Sequence, residues 1–283
     1  MTLPIQVGPS TITMNRDDRF VVCQPDGRIE RQAEEGFFAR DTRFVSGYEL
    51  NLNGQRPSLL NASPVQFYSS RFEYTNPELL DRDGVVPRHS LAIRLDRTVS
   101  GGVHEDYDIV IYGRRPVRLT IEIEIQSDFA DIFDIKGGQL VRRGEINARW
   151  FRSARELRTT YANRDFVREL VLQADRSDST PQFANGRFVF VAQVAPKGVW
   201  HTCMRWLPLT HSKRRPTTLP CYSIAGPRPD QELPRLRRVR LQTPNHTVLA
   251  HGTRRNSIWT HSNWKTPRSR RGCSSRRPGC PGS

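Results

Sequence analysis

Apolar and polar residues alternate with a period of two over much of the first 210 positions. The clearest run is Val117 to Ile125, where Val117, Leu119, Ile121, Ile123 and Ile125 alternate with Arg118, Thr120, Glu122 and Glu124. Successive side chains of an extended chain point to opposite faces, so this run predicts a strand with one apolar and one wet face. Tyr48, Leu50 and Leu52 alternate with Glu49, Asn51 and Asn53, and Leu91, Ile93 and Leu95 with Ala92, Arg94 and Asp96. Tyr107, Ile109 and Ile111 keep the same beat, as do Leu170 with Leu172 and Phe188 with Phe190. Between these runs stand Asp26-Gly27, Asn53-Gly54, Asp83-Gly84, Gly137-Gly138 and Asn185-Gly186, pairs able to adopt the positive φ that tight hairpins require. Half-wet strands joined by hairpins imply antiparallel sheets. Their number predicts an all-β chain, a large antiparallel β-sandwich. No long amphipathic helix alternates with the strands, and a single helical turn is expected at Arg152 to Leu157.

The alternation is lost near residue 210. From His211 onward Pro, Arg, Ser, Thr and Gly dominate, and from Thr266 to Ser283 almost no aliphatic residue remains. Such a segment cannot bury enough apolar surface to offset the entropy of ordering it. The predicted organisation is therefore one sandwich domain over 1–249, carried most strongly by 5–210, followed by a disordered basic tail over 250–283.

Charge follows the same division. The net charge of +15 over 283 residues would suggest an anionic partner. Residues 1–210, however, hold 28 Lys and Arg against 27 Asp and Glu, while 211–250 carry +6 and 251–283 carry +8. The basicity belongs to the C-terminal part and says nothing about the sandwich. The five cysteines, Cys23, Cys203, Cys221, Cys273 and Cys280, show no paired metal-ligand spacing. Reduced thiols and a cytoplasmic location are expected, with no cofactor, no metal and no membrane span.

The chain has no G-x-S-x-G, no phosphate-loop motif, no H-E-x-x-H and no G-x-G-x-x-G. Paired carboxylates would be the mark of glycoside hydrolysis. Glu122 and Glu124 share a strand face, which reads as the solvated one, and Asp106 and Asp108 again share one face. Asp128, Asp131 and Asp134 are denser. They read as turn and cap residues, the rival being a hard cation. Arg40, Asp41 and Arg43 lie among aromatics, which fits an ion-pair network holding a loop or a surface that meets another domain. His201 beside Cys203 reads as incidental.

Two of these runs carry a resemblance. Gly36-Phe-Phe-Ala-Arg-Asp-Thr-Arg-Phe-Val-Ser-Gly-Tyr-Glu-Leu-Asn-Leu-Asn-Gly54 resembles the opening signature of the N-terminal domain of bacterial and archaeal glycogen debranching enzymes of the amylo-α-1,6-glucosidase type. The strand Val117 to Ile125, Ser127-Asp-Phe-Ala-Asp-Ile-Phe-Asp134, Lys136-Gly137 and Arg143-Gly144 then match a second pattern in order. The resemblance spans about residues 5–210, with an echo at Leu241 to Leu249. It implies an antiparallel sandwich placed ahead of an (α/α) toroid that carries the acid and base carboxylates. No catalytic motif matches here, so no catalytic residue is assigned. Arg40, Asp41, Arg43, Asp128 and Asp131 are the candidates for loop or interdomain contacts. The tail past residue 250 departs from the family and reads as an out-of-frame extension.

The function so implied is that of a non-catalytic accessory domain in α-glucan metabolism, its partner an α-glucan or a catalytic toroid. One rival is a stand-alone carbohydrate-binding module stacking sugars on Trp150, Trp200 or Trp206, residues for which core packing is the default. The other is nucleic-acid binding through the basic tail with Trp259 and Trp264, which the near-neutral body does not favour.

Overall fold

The computed structural model describes residues 11–210 apart from 32, 33, 139 and 142. The expectations for 211–249 and for the tail lie outside the described residues. An antiparallel meander comes first among the described residues: β1 (Ile12–Arg16), β2 (Arg19–Cys23), β3 (Gly36–Ala39) and β4 (Thr42–Val45). Then come β5 (Gly47–Leu52), β6 (Ser58–Gln66), β7 (Ser69–Thr75), the small hairpin β8 (Leu79–Asp81) and β9 (Gly84–Val86), β10 (Leu91–Val99), β11 (Val103–Ile111) and β12 (Val117–Gln126). The one described helix, α1 (Ile132–Lys136), precedes β13 (Glu145–Phe151), β14 (Glu156–Asn163), β15 (Phe166–Ser177), β16 (Gln182–Ala184), β17 (Arg187–Val194) and β18 (Val199–Leu209).

Every strand pair among the described residues is antiparallel. An eight-stranded sheet runs in the order β13-β14-β15-β18-β11-β10-β7-β6, and a four-stranded one in the order β16-β17-β12-β5. The smaller sheet and the opening meander pack on one face of the large sheet, giving the sandwich. Contacts across the layers include Tyr48 with Trp206, Phe190 with Trp200, Trp150 with Phe188 and Phe37 with Trp206. In β12 the five aliphatic residues are buried and their neighbours half-exposed, as their alternation requires. The Asn53-Gly54 and Asn185-Gly186 turns hold both residues at positive φ. No helix among the described residues is long and apolar enough to cross a membrane.

On β10 and β11 two charged residues occupy the apolar parity. Arg97 of β10 and Glu105 of β11 are register partners, both fully buried, with Arg97 Nε donating to Glu105 Oε1 at 2.8 Å. Arg97 also donates to the Gly27 carbonyl at 2.8 Å. Tyr107 donates to Glu105 Oε2, and the Tyr48 and Tyr107 hydroxyls lie 2.9 Å apart. The guanidinium lies 4.5 Å from the Tyr48 ring centre and 5.3 Å from that of Trp206, where a cation is held by the negative ring face. Burial works against the Arg97 charge, and Glu105 together with the Cys23, Tyr48 and Tyr107 groups around it more than offsets that cost. The hairpin that sets the pair in register closes over Ser100 to Gly102. A Cβ on Gly102 would stand 2.2 Å from the Trp206 carbonyl oxygen, so only glycine fits there.

Three details differ from the sequence reading. Asp106 and Asp108 do share a strand face, but that face is buried. It lies mid-sheet, where cross-strand groups meet these carboxylates: Arg94 reaches Asp108 at 2.7 Å, and His201 Nδ1 lies 2.8 Å from Asp108. Arg152 to Arg155 form a tight turn with Arg155 at φ 52°, and β14 begins at Glu156, so the helical turn expected there is absent. The helix α1 stands instead in the Asp-rich run, where Asp131 supplies its N-cap.

Replacing Glu105 by Gln strands a buried guanidinium and is expected to cost about 3–5 kcal/mol in urea unfolding. The double change Arg97→Met with Glu105→Leu removes both charges and should recover most of that loss. A Glu105→Gln protein with the parental unfolding midpoint would show that the pair does not organise the core.

Candidate functional site

The two signature runs, far apart in sequence, lie side by side. Arg43 N donates to the Ala130 carbonyl at 2.9 Å, Ile132 N to the Asp41 carbonyl at 2.9 Å, and Ser46 N to the Gln126 carbonyl at 2.8 Å. Arg43 is almost fully buried and grips Asp128 with a two-point fork, Nε to Oδ1 at 3.2 Å and a second nitrogen to Oδ2 at 2.5 Å. A third bond runs from Arg43 to the Glu35 carbonyl at 3.1 Å. Gly36 makes room for this side chain, since a Cβ there would stand 2.6 Å from the Arg43 Cδ and 2.7 Å from the Val45 carbonyl oxygen. The planar fork explains why arginine rather than lysine suits position 43.

The remaining candidates divide by role. Arg40 and Asp41 are the two exposed central residues of the β3–β4 hairpin, at φ 47° and 62°, the mirror-image turn that suits strand twist. The expected network of Arg40, Asp41 and Arg43 therefore contracts to Arg43 alone. Arg40 points outward, 3.4 Å from Asp18 and 3.2 Å from the Thr210 hydroxyl. The turn forces it there, because adjacent residues of a two-residue hairpin cannot both face the core. Asp128 accepts the Ala130 amide at 3.2 Å as well as Arg43, and Asp131 accepts the Phe133 amide at 2.8 Å. Both thus act in turn and cap roles. Asp134 is held below the ordinary carboxylate range by Arg143, with a bond of 2.5 Å.

A groove of about 470 Å³ opens beside this lock, lined among others by Thr42, Asp128, Asp131, Arg143, Tyr161 and Phe166. Phe129 forms part of its wall at φ 53°, an uncommon conformation for a bulky residue, clamped between Phe44 and Tyr161. Phe133, Leu140, Val141 and Phe166 are exposed on and beside this groove. The strand Glu156–Asn163 and the start of Phe166–Ser177 bring Tyr161, Asn163 and Phe166 into it. No signal in the sequence joins these residues to the Asp-rich run, which is why reading the chain linearly missed them. Trp206 and Trp200 are in the core, and Trp150 packs on Phe183 and Phe188, as the default reading has it.

Fold and groove together define an all-β sandwich domain whose surface site is knitted from two distant signature runs. Residues 14–205 match the family described as the N-terminal domain of (some) glycogen debranching enzymes, and the chain belongs to that family. No curated protein matches the chain. Among solved structures it is similar to a heparan sulfate lyase HepC mutant from Pedobacter heparinus, at 13% identity and TM-score 0.41, over 72% of this chain and 35% of that one. It is also similar to HI1317, at 6% and 0.34 over 72% and 98%, and to the polysaccharide lyase BACCELL_00875, at 9% and 0.33 over 74% and 32%. The chain thus spans about a third of the length of the two lyases.

Asp128→Asn removes the charge opposite a buried arginine and is expected to cost about 3 kcal/mol by chemical denaturation. Asp131→Ala, the loss of a cap, should cost only about 1 kcal/mol. Equal losses would mean that the fork is not the stronger tie. Burial pushes the Glu35 carboxyl up from its ordinary value. A raised folded pKa favours the protonated form, so its contribution is complete in acid and is lost as pH rises through that value. Glu35→Gln should therefore gain stability relative to the parent between about pH 4 and about pH 7, checked by unfolding midpoints at both. A gap moving toward the parent would contradict the sign.

Proposed function

We propose that the chain serves as a non-catalytic accessory domain of a glycogen-debranching-type α-glucosidase, and that the groove beside Arg43 and Asp128 is where a catalytic (α/α) toroid packs. The observation that carries this is the convergence of the two family runs on one locked groove flanked by exposed apolar residues. Monomeric proteins rarely leave Phe and aliphatic side chains grouped in water without a partner. Asp128 and Asp131 are committed to the Arg43 fork and to backbone amides, which suits a scaffold better than an acid and base pair. A cytoplasmic site of action goes with this reading, in keeping with the two free cysteines among the described residues.

A second reading, direct binding of α-glucan, is favoured by the Tyr161 and Phe166 rings beside Asn163, since sugar rings stack on aromatic faces while their hydroxyls take hydrogen bonds. Nucleic-acid binding through the tail rests on residues outside the described ones.

A separately expressed debranching toroid should co-sediment with the chain, and Phe133→Asp with Val141→Asp should weaken that association at least tenfold while leaving the unfolding midpoint in place. The chain alone should release no glucose from a branched α-glucan. Retention on immobilised glycogen without any toroid association would favour the glucan reading, and glucose release would overturn the accessory role.

A further inference from the structure

On the face of the large sheet away from the sandwich core, two strands bring three different donor types together. His104 and Asp106 are two residues apart on β11, so their side chains share a face. Cys203 of β18 is the register partner of Asp106. The donor atoms of the imidazole, the carboxylate and the thiol all lie within 4.8 Å of one another, and all three residues are buried. We propose that His104, Asp106 and Cys203 form a transition-metal site suited to Zn²⁺.

Three observations point this way. A tetrahedral Zn²⁺ with bonds of about 2.0–2.3 Å sets its ligand atoms roughly 3.3–3.8 Å apart. His104 Nε2 and Asp106 Oδ1 already stand 3.4 Å apart, and every donor separation is within about 1.5 Å of that range. The buried His104 Nε2 makes no hydrogen bond among the described residues despite that distance. It is thus a buried ring nitrogen without a hydrogen bond, 3.4 Å from a carboxylate oxygen. Leaving a buried imidazole nitrogen so placed is costly, and a cation between the donors satisfies it. The donor set also decides the metal: thiolate and imidazole favour Zn²⁺ over Mg²⁺ or Ca²⁺, which take oxygen ligands.

Support around the donors is already built. His201, two residues from Cys203 on the same face, is fixed by Asp108 at 2.8 Å and is hydrogen-bonded to the Cys203 sulfur. It stands where an outer partner of the Cys203 ligand belongs. Because strand register rather than a short loop makes the site, no C-x-x-C or H-E-x-x-H spacing announces it. Its closure from solvent means that the ion enters as the sheet forms, so uptake should be fast on refolding and slow in the folded protein.

The test is to refold the full chain under reducing conditions with Co²⁺ as a spectroscopic substitute for Zn²⁺, remove free ion, and measure metal content and absorption. About one Co²⁺ per chain is expected, with a thiolate-to-cobalt charge-transfer band and tetrahedral visible bands. Cys203→Ser should abolish the charge-transfer band, and His104→Ala and Asp106→Asn should each lower retained metal at least tenfold. Cys221, Cys273 and Cys280 stay in place in these variants, so a signal that persists in all three places the ion elsewhere and overturns the proposal. A readout that needs no variant is the thermal midpoint of the parental protein, which should rise by several degrees when it is refolded with Zn²⁺ and not with Mg²⁺. Absence of retained Co²⁺ and of any Zn²⁺-dependent rise would equally sink it.

Discussion

A guanidinium and a carboxylate face each other in the middle of the core, and the packing around them has to satisfy both. Arg97 and Glu105 can stay buried because each strand pair near them delivers a partner: the Gly27 carbonyl, the Tyr107 hydroxyl, the Tyr48 hydroxyl behind it, and two ring faces. These groups come from the large sheet, the smaller sheet and the loop after β2. An ion pair in such a place contributes little net stability against an apolar substitute, but its geometry admits few alternatives. Any slip of β10 against β11 would break the Arg97 and Glu105 pairing. The pair thereby ties the layers to one register.

The surface groove depends on that register indirectly. β5 carries Tyr48 into the core network and follows directly on β4, which carries Arg43. Arg43 in turn fixes the chain after β12 through Asp128 and through the backbone bonds to Ala130 and Asp41. A lock of this kind holds an irregular segment, with Phe129 at positive φ, against the end of an otherwise regular sheet. Such a rigidly held loop beside exposed Phe133 and Val141 is what a docking partner requires, since little ordering entropy remains to be lost on contact.

The large sheet is used on both sides. Its inner face is largely apolar around Arg97 and Glu105, while its outer face along β7, β10, β11 and β18 carries Arg71, Asp96, Arg94, Asp108 and His201 in a chain of contacts. Central strands of a wide sheet have neighbours on both edges, so polar side chains there are closed in by cross-strand partners rather than by water. The mixed donors His104, Asp106 and Cys203 arise in that setting.

Much of the fold was legible along the chain because a strand writes its burial as a period of two. Val117 to Ile125, Tyr48 to Leu52 and the Asn-Gly turns each specify their conformation locally, and the resemblance of the two signature runs pointed to the family that the match over 14–205 shows. Arg97 and Glu105 were legible in principle, as charges placed in the apolar parity on either side of the Ser100 to Gly102 turn. What no local pattern encodes is which distant strands become neighbours. The Arg43 fork to Asp128, the arrival of Tyr161 and Phe166 at the groove, the burial of Asp106 and Asp108, and the meeting of His104 with Cys203 all follow from strand order. Strand order is chosen by the mutual burial of whole sheets, a property of the collapsed chain and not of any window of its sequence.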